Sequence, residues 1–220
     1  MTETAPIVTV IGGSGFIGRY VAQSMARRGW RVRVACRRPN EAVFVRTYGV
    51  VGQVEPVQCN VRDDASLAKV IGGADAVIYA VGVLAQAGKN TFRAVQAEGP
   101  DRAARISAAA GVGRFVLISA IGADPQSPSE YGRTKAEGEA NVLAHMREAV
   151  ILRPSIVFGP EDQFFIRFAS MARFSPVIPI IGADTRFQPV WVQDVADAAA
   201  KALSGEVAPF STVILDWTLD

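Results

Sequence analysis

A glycine-rich run near the amino terminus has a spacing that can hold an anion. The run Gly12–Gly18, which reads GGSGFIG, follows the valine- and isoleucine-rich segment Ile7–Ile11 and opens an amphipathic segment. Gly12 permits a tight turn, Gly15 lets backbone amide groups approach a pyrophosphate, and Gly18 lets a helix touch the strand. Between a strand and a helix, the run therefore predicts a dinucleotide site built from Gly12, Ser14, Gly15, Phe16, Ile17 and Gly18.

A tyrosine and a lysine further along the chain could handle a proton. Tyr131 and Lys135 stand four residues apart in the segment Tyr131–Arg147, which is predicted to be helical, so both side chains project from one face. An ammonium group beside a phenol favours the phenolate, and we expect Lys135 to lower the pKa of Tyr131 toward neutrality. Such a phenol exchanges a proton with a carbonyl or an alcohol during hydride transfer, and the same lysine can bond the nicotinamide ribose.

The end of the second predicted strand favours one dinucleotide over another. Proteins that bind NAD usually carry Asp or Glu there for the ribose hydroxyls, but this chain has Cys36 followed by Arg37 and Arg38. Positive charge at this point suits a 2'-phosphate, so we expect NADP(H) to be preferred, with NAD(H) as the second choice. The alternative is that the two arginines form only a solvated turn. The ends of the next two strands are expected to face the adenine and its ribose through Asn60, Val61, Ala80, Val81 and Gly82.

Short apolar runs alternate along the chain with longer amphipathic segments, which is typical of β-α units. The runs predicted as strands are Ile7–Ile11, Arg31–Ala35, Val54–Gln58, Ala76–Val81, Arg114–Ser119 and Val150–Leu152. The segments predicted as helices are Phe16–Arg28, Thr91–Ala110, Tyr131–Arg147 and Val195–Ala202. Right-handed crossovers between such units give an α/β fold with a doubly wound parallel sheet, the Rossmann arrangement, whose ligands lie at the carboxyl ends of the strands.

Length and composition exclude several other classes of protein. A chain of 220 residues that is 50% hydrophobic and 20% charged is a folded domain rather than a disordered tail. Cys36 and Cys59 form no C-x-x-C pair, and the single histidine, His145, is too little for a multi-histidine metal site or a Ser-His-Asp relay. Because no apolar stretch reaches the length of a membrane helix and no secretory signal opens the chain, we expect a cytoplasmic protein without a metal.

Charge is distributed unevenly along the chain. The net charge is only +2, but the first 50 residues contain eight Arg and two Glu. We therefore expect the ligand of this part to be anionic, a nicotinamide dinucleotide rather than a nucleic acid. A solvated helix face that carries Arg27 and Arg28 accounts for some of the excess.

Together these motifs resemble the short-chain dehydrogenase/reductase superfamily, in its extended or atypical branch, over residues 6–203. The segment LRPSIVFGP at 152–160 is similar to the R-P-x-x-x-x-G-P segment that passes beside the nicotinamide, which implies cofactor contacts from Pro154, Ser155 and Val157. The segment at 187–196 carries Asp194, which the resemblance places on the substrate side. The pattern is most similar to the subgroup that contains the dehydrogenase-like accessory subunit of mitochondrial respiratory complex I and its bacterial relatives. That resemblance implies a tightly held NADPH and a structural or assembly role.

Two departures from the superfamily pattern bear on catalysis. Active members usually end the fifth strand with two hydroxyl residues, of which the second polarises the substrate carbonyl, whereas this chain has Ser119 and then Ala120. Ser119 could replace that hydroxyl if the strand end is irregular. Gln96 stands where active members often have an asparagine that holds a water near the lysine.

Three interpretations follow from the resemblance and its departures. The first is an NADP(H)-binding structural or assembly factor linked to respiratory complex I or to quinone metabolism. The second is an active NADPH-dependent oxidoreductase that acts on a hydrophobic carbonyl substrate, with an epimerase as its less favoured form. In that enzyme Tyr131, Lys135 and Ser119 would be the catalytic residues. The third is a sensor whose affinity for a partner depends on the redox state of the cofactor.

The last part of the chain is expected to form only a reduced substrate-side lobe, since just 26 residues follow Asp194. We expect one dinucleotide-binding domain over residues 1–220, in which 155–220 contribute the lobe and 211–220 a last strand. The segment Phe164–Phe174 contains four phenylalanines and two arginines, which suits contact with a membrane surface or a quinone. Such a contact would place the protein peripherally at the inner face of the membrane; the alternative is a lid helix packed on its own core.

Overall fold

The computed structural model describes residues 5–162 and 188–216, and within them the chain forms a seven-stranded parallel sheet and a small two-stranded sheet. The strands are β1 (Ile7–Ile11), β2 (Arg31–Cys36), β3 (Val54–Gln58), β4 (Ala76–Tyr79), β5 (Arg114–Ile118), β6 (Val150–Pro154), β7 (Val157–Phe158), β8 (Val190–Trp191) and β9 (Thr212–Leu215). The large sheet has the order β3-β2-β1-β4-β5-β6-β9, and β7 pairs with β8. The strand order reverses between β1 and β4, as in the predicted doubly wound Rossmann fold, and ligands bind at such a switch point.

The helices cover both faces of the large sheet. They are α1 (Phe16–Arg27), α2 (Asp64–Ile71), α3 (Glu98–Ala109), α4 (Glu130–His145) and α5 (Val192–Ser204). A 3-10 helix spans Pro39–Tyr48, and a π-helical turn, Arg93–Ala97, leads into α3. Helix α1 is amphipathic and buries Val21, Ala22 and Met25, whose spacing of three to four residues places them on one face.

Alternate residues of the inner strands contribute to two separate apolar layers. Val8 and Val10 of β1 pack with α1 and α5 on one face of the sheet, whereas Ile11 packs with α2 and α3 on the other. Thr9 stands between Val8 and Val10 in β1, and its hydroxyl donates to the carbonyl oxygen of Val70 in α2 at 2.7 Å. Because both faces are held in this way, the residues at the carboxyl ends of the strands have fixed positions.

Most of the predicted elements are confirmed, and the differences have local causes. The predicted last strand is β9, which runs parallel to β6. The fourth strand ends at Tyr79 rather than Val81, so Ala80–Gly82 form a loop at the edge where ligands bind. Helix α2 and the 3-10 helix Pro39–Tyr48 were not among the predicted helices. A side-chain signal does mark the start of α2, because the carboxylate of Asp63 accepts the backbone N–H of Ser66 at 2.8 Å.

Some of the predictions fall outside the described residues. The segment Phe164–Phe174, for which we expected a membrane or quinone contact, is one of them, and Phe187 is another. Within 5–162 and 188–216, no helix is both long and apolar enough to cross a bilayer. Over the same residues, no group of three His, Cys, Asp or Glu side chains is arranged to hold a metal ion.

Candidate functional site

Gly12 forms the floor of the glycine-rich turn. Its φ angle is +86°, a left-handed conformation that L side chains rarely adopt. A Cβ atom at this position would stand 2.8 Å from Cγ2 of Val81 and 3.0 Å from the carbonyl oxygen of Ala80. The backbone N–H of Gly12 donates to the carbonyl oxygen of Ala35 at 2.8 Å, which ties the end of β1 to the end of β2. The predicted tight turn is therefore present, and only glycine fits it.

The turn leaves the amino terminus of α1 open to an anion. A Cβ atom at Gly18 would overlap the carbonyl oxygen of Gly12, so the helix sits directly on the turn. A Cβ atom at Gly15 would make a tight contact with the Gly12 carbonyl oxygen, at 3.1 Å, and, its chain neighbours aside, none of the other atoms around it lies within 4 Å in the described part of the chain. No side chain caps α1, and its first turn has no acidic residue. The amide groups of that turn, which include Phe16 and Ile17, carry the positive end of the helix dipole.

The end of β2 places a cation beside the turn. Ser14 is hydrogen-bonded to the thiol of Cys36, and burial raises the pKa of that thiol. Cys36 is therefore neutral at the position where proteins that bind NAD usually carry Asp or Glu. Arg37 and Arg38 are both exposed. Arg38 pairs with Glu41 at 3.1 Å, whereas Arg37 has no ion-pair partner in the described part of the chain. Arg37 is thus the guanidinium available to an anionic group.

The loop after β4 joins the two groups of residues that the sequence singled out. Ala80 and Val81 lie against Gly12 at one end of this loop. At its other end, a Cβ atom on Gly82 would stand 3.7 Å from Nζ of Lys135. The glycine turn and Lys135 therefore share one edge of the sheet.

The chain after β3 carries Arg62, which was not among the predicted site residues. The side-chain oxygen of Asn60 accepts the backbone N–H of Arg62 at 3.2 Å. This bond turns the chain at Val61, between β3 and α2. Nη1 of Arg62 is buried and has no hydrogen-bond partner within residues 5–162 and 188–216. The only sequence signal for Arg62 was its place in the segment expected to face the adenine.

Tyr131 and Lys135 lie on one face of α4, as their spacing predicted. Nζ of Lys135 stands 5.8 Å from the centroid of the Tyr131 ring and donates to the carbonyl oxygen of Ile118 at 3.2 Å. Burial lowers the pKa of Lys135 to about 8, while the Glu139 carboxylate acts in the opposite direction. Burial raises the pKa of Tyr131. The prediction that Lys135 lowers the pKa of Tyr131 is wrong, because burial dominates and the ammonium group donates to a backbone carbonyl.

We expect the affinity for a dinucleotide to depend on the charge of Lys135. Its depressed pKa means that the ammonium form is present below about pH 8 and is lost above it. Between pH 7 and pH 9.5 the affinity for NADPH should therefore fall by about tenfold, and Lys135→Met should bind weakly with a flat profile. Fluorescence titrations of NADPH measure this. Lys201→Met, an exposed lysine of α5, should keep the wild-type profile; a sloping profile in Lys135→Met would contradict the assignment.

The Ser119 hydroxyl is hydrogen-bonded to Glu139, which forms a partly buried ion pair with Arg153. The hydroxyl donates to the carboxylate of Glu139, and Arg153 donates to the same carboxylate through Nε at 2.9 Å and Nη2 at 2.5 Å. Ser119 and Glu139 are buried, and the backbone N–H of Ser119 still pairs with Leu152, so the strand end is regular. Glu139 was not among the predicted site residues, although it stands four residues after Lys135 and therefore lies on the same side of α4.

Gln96 joins the loop after β4 to α4. Its side-chain amide donates to the carbonyl oxygen of Val83 at 2.8 Å, and its side-chain oxygen accepts the Thr134 hydroxyl at 3.1 Å. It lies in the π-helical turn, whose backbone approaches α4 so closely that a Cβ at Gly138 would overlap the Gln96 carbonyl oxygen. Both ends of the side chain are thus bonded within the protein, and π turns of this kind are frequent at functional sites.

The segment after β6 returns to the start of α1. Pro154 ends β6, the backbone N–H of Ser155 donates to Leu215, and Val157 pairs with β8. Glu161 then lies 3.5 Å from Arg19 and accepts the Tyr20 hydroxyl at 2.7 Å. Burial, together with the neighbouring carboxylate, raises the pKa of Tyr20 to about 12. Glu161 therefore fixes residues 155–161 beside the glycine-rich turn.

A separate cleft of about 520 Å³ lies along α4 and is lined by Arg133, Glu137, Leu143 and Arg153 among others. Neither the glycine-rich turn nor Lys135 contributes to its described lining. We place the candidate site at the turn, because conformation, uncapped amide groups and a free guanidinium converge there.

The residues at this edge fit a dinucleotide. Gly12 and Gly18 remove the atoms that would fill the turn, and the uncapped first turn of α1 suits a pyrophosphate. Lys135 and Tyr131 lie along the same edge, beside the loop after β4, where the nicotinamide half would extend. The structure thus brings the glycine-rich turn, Tyr131 and Lys135 to one edge of the sheet.

Comparison with known proteins agrees with this geometry. The model of the NAD dependent epimerase/dehydratase family matches residues 8–211. Among solved structures, the Bordetella bronchiseptica enzyme WbmH in complex with NAD+ superposes with a TM-score of 0.77 at 19% identity, over 97% of this chain and 76% of that one. At that identity the likeness establishes the fold.

Two curated relatives are more similar in sequence. The mitochondrial NADH dehydrogenase [ubiquinone] 1 alpha subcomplex subunit 9 of Arabidopsis thaliana is 32% identical over 203 residues, which are 91% of this chain and 50% of that protein. The ceramide reductase of Caulobacter vibrioides is 32% identical over 195 residues, which are 89% of this chain and 60% of that enzyme. The chain thus spans a half to three fifths of the length of these two relatives.

Proposed function

The chain belongs to the NAD dependent epimerase/dehydratase family, and on this basis we propose that it holds NADP(H) in a structural or assembly role linked to respiratory complex I or to quinone metabolism. The fold is that of a dinucleotide-binding protein, and the relatives include both a complex I subunit and an oxidoreductase. In this proposal residues 1–220 belong to one dinucleotide-binding domain, and residues 155–220 contribute to its substrate side.

One observation supports the choice of a structural role: the groups proposed to hold the cofactor are present, whereas the position proposed for the substrate carbonyl has no free hydroxyl. The glycine-rich turn, the uncapped α1 and Lys135 are in place. Ala120 has no hydroxyl, and the Ser119 hydroxyl is bonded to Glu139, which Arg153 holds in turn. A substrate carbonyl could reach Ser119 only after this buried network had been broken.

The residues would hold the dinucleotide in a defined order along the edge of the sheet. Gly12, Ser14, Gly15, Phe16, Ile17 and Gly18 would bind the pyrophosphate, and Arg37 and Arg38 the 2'-phosphate. Asn60, Val61, Ala80, Val81 and Gly82 would face the adenosine, and Pro154, Ser155 and Val157 would lie beside the nicotinamide. Tyr131 and Lys135 would bond the nicotinamide ribose. NADPH, when bound, supplies a hydride.

The alternative function is a reductase of a hydrophobic carbonyl compound, and the ceramide reductase relative favours it. In that enzyme Tyr131 would give its proton to the carbonyl oxygen, and its raised pKa keeps the phenol protonated at neutral pH. Lys135 would orient the ribose. Ser119 would have to leave Glu139 to bond the substrate oxygen.

Replacing Tyr131 by Phe separates the two functions. The substitution removes the proton donor but keeps the ring, which packs edge-on against Phe92 at 5.8 Å between centroids. We expect Tyr131→Phe to bind NADPH within about threefold of the wild type and to support the assembly of complex I in cells. Blue native gels of a complementation strain measure the second effect. Loss of complementation together with retained NADPH binding would favour the reductase.

The preference for NADP(H) rests on Arg37. It is exposed and unpaired in the described part of the chain, next to a neutral Cys36. Because a charge-assisted bond to phosphate contributes about 1.5–3 kcal/mol, Arg37→Ala should weaken NADPH by about tenfold to a hundredfold and leave NADH unchanged. Calorimetric titrations with both dinucleotides measure this. Arg31→Ala, an exposed arginine at the opposite edge of the sheet, should alter neither affinity.

The association with complex I has a direct test. Membranes of the source organism, gently solubilised, are run on a native gel, stained for complex I activity and probed for this protein. Co-migration supports a role as a subunit or assembly factor at the inner face of the membrane. Migration as a small free species would contradict that role and favour the reductase.

A further inference from the structure

Two consecutive valines protrude at the amino-terminal edge of the sheet, opposite the dinucleotide site. Val50 and Val51 form the tip of the loop between the 3-10 helix Pro39–Tyr48 and β3, and their exposures are 74% and 105%. Turns of this length usually carry Gly, Asn, Asp or Ser. Since neither valine packs on the core, the fold does not explain their apolar side chains.

Three exposed arginines lie on the elements that adjoin this loop. The side-chain amide of Gln53 donates to the carbonyl oxygens of Ala26 at 2.7 Å and Trp30 at 3.0 Å, which fixes the loop against the end of α1. Arg27 and Arg31 flank those two carbonyl groups in sequence, and Arg46 lies in the last turn of the 3-10 helix. These three arginines are exposed and, among the described residues, have no ion-pair partner.

Acidic groups do not cancel this charge. Glu206, at the same edge, is paired with Arg28 at 2.5 Å. Glu55 on β3 and Asp75 before β4 are exposed carboxylates at this edge, and Asp75 accepts the backbone N–H of Ile7 at 2.7 Å. Arg27, Arg31, Arg46, Val50 and Val51, which we call the amino-edge patch, therefore combine a net positive charge with an apolar tip.

We propose that the amino-edge patch docks on an anionic lipid surface. Guanidinium groups pair with lipid phosphates, while two protruding valines enter the boundary between headgroups and acyl chains. A nucleic acid would use the arginines but gives no reason for the valines. In this orientation the carboxyl edge of the sheet, with its dinucleotide site, faces away from the bilayer. No residue of the patch belongs to the dinucleotide site, so the proposal does not depend on which dinucleotide the chain holds.

Sedimentation with vesicles tests the proposal on the full chain. We expect binding to phosphatidylcholine vesicles that contain a quarter phosphatidylglycerol, weaker binding as salt is added, and none to pure phosphatidylcholine. The triple change of Arg27, Arg31 and Arg46 to Gln should reduce the partition coefficient by about a hundredfold. The double change of Val50 and Val51 to Ser should reduce it by about tenfold. Leu84→Ser, an equally exposed apolar residue beyond the carboxyl end of β4, serves as the matched control and should bind as the wild type does.

Three outcomes would overturn the proposal. They are equal binding to neutral and anionic vesicles, binding to neither, and wild-type binding by the valine double variant. A parallel titration with duplex DNA tests a nucleic acid as the partner. Tight DNA binding that is equal in the wild type and in the valine double variant would assign the arginines to nucleic acid instead. NADPH binding is measured on every variant, and its retention shows that the fold is intact whatever the vesicles report.

Discussion

Replacing Gly15 by Val should abolish dinucleotide binding and leave the fold in place. The backbone of Gly15, with φ −74° and ψ 178°, is extended and suits any residue, and a Cβ there would make one tight contact, at 3.1 Å with the Gly12 carbonyl oxygen. A valine there would project its methyl groups over the uncapped amide groups of α1, where the pyrophosphate is expected. The affinity for NADPH should fall by at least about a hundredfold, while the tight contact should lower the free energy of unfolding by about 1–2 kcal/mol.

Calorimetry and thermal unfolding, run on the same preparation, measure both quantities. The matched control is Gly113→Val, because Gly113 is exposed at the opposite edge of the sheet and a Cβ there makes only an ordinary contact, at 3.6 Å. This variant should bind NADPH as the wild type does. Wild-type affinity in Gly15→Val would move the pyrophosphate away from α1.

Replacing Glu139 by Ala should have the largest effect on stability. The change leaves the Arg153 guanidinium and the Ser119 hydroxyl without their shared partner, in a part of the core where Glu139 is 6% exposed. Breaking a fully buried ion pair from one side costs about 3–5 kcal/mol, but the Arg153 side chain is 29% exposed, so we expect a loss of about 2–3 kcal/mol in the free energy of unfolding. Because the Glu139 carboxylate raises the pKa of Lys135, the pH midpoint of NADPH binding should also move below 8.

Chemical denaturation with urea measures the loss of stability. Glu137 lies two residues earlier on the same helix and pairs with Arg93 at 3.0 Å, but both side chains are exposed. Glu137→Ala should therefore cost less than about 1 kcal/mol. Equal losses in the two variants would mean that the contacts of Ser119 and Arg153 with Glu139 do not stabilise the core.

Much of the fold could be predicted from periodicity and turn residues. The inner strands are short runs of Val and Ile because both faces of the sheet are covered, and that pattern is visible without a structure. The sequence did not predict that the helix expected over 91–110 divides into a π-helical turn and α3. This division depends on the Tyr79 hydroxyl, which donates to the Val95 carbonyl oxygen at 2.6 Å, and on Gly99, where a Cβ would overlap that hydroxyl. Such contacts join residues that are distant in sequence and leave no local pattern.

The candidate site shows the same division. The glycine-rich run and the spacing of Tyr131 and Lys135 are local signals, and the structure brings both to one edge of the sheet. The partners of Ser119 could not be predicted, since Glu139 and Arg153 meet it from a helix and another strand. The direction of the Tyr131 pKa was also mispredicted, because spacing indicates which charges are near but not how deeply the phenol is buried.

The most direct test of the account is a calorimetric titration of the purified chain with NADPH and, separately, with NADH. The glycine-rich turn, the uncapped α1 and the unpaired Arg37 predict one site per chain and an affinity for NADPH at least about tenfold above that for NADH. An affinity for NADH equal to or above that for NADPH would contradict the role of Arg37. The absence of binding by either dinucleotide would contradict the assignment of the site itself.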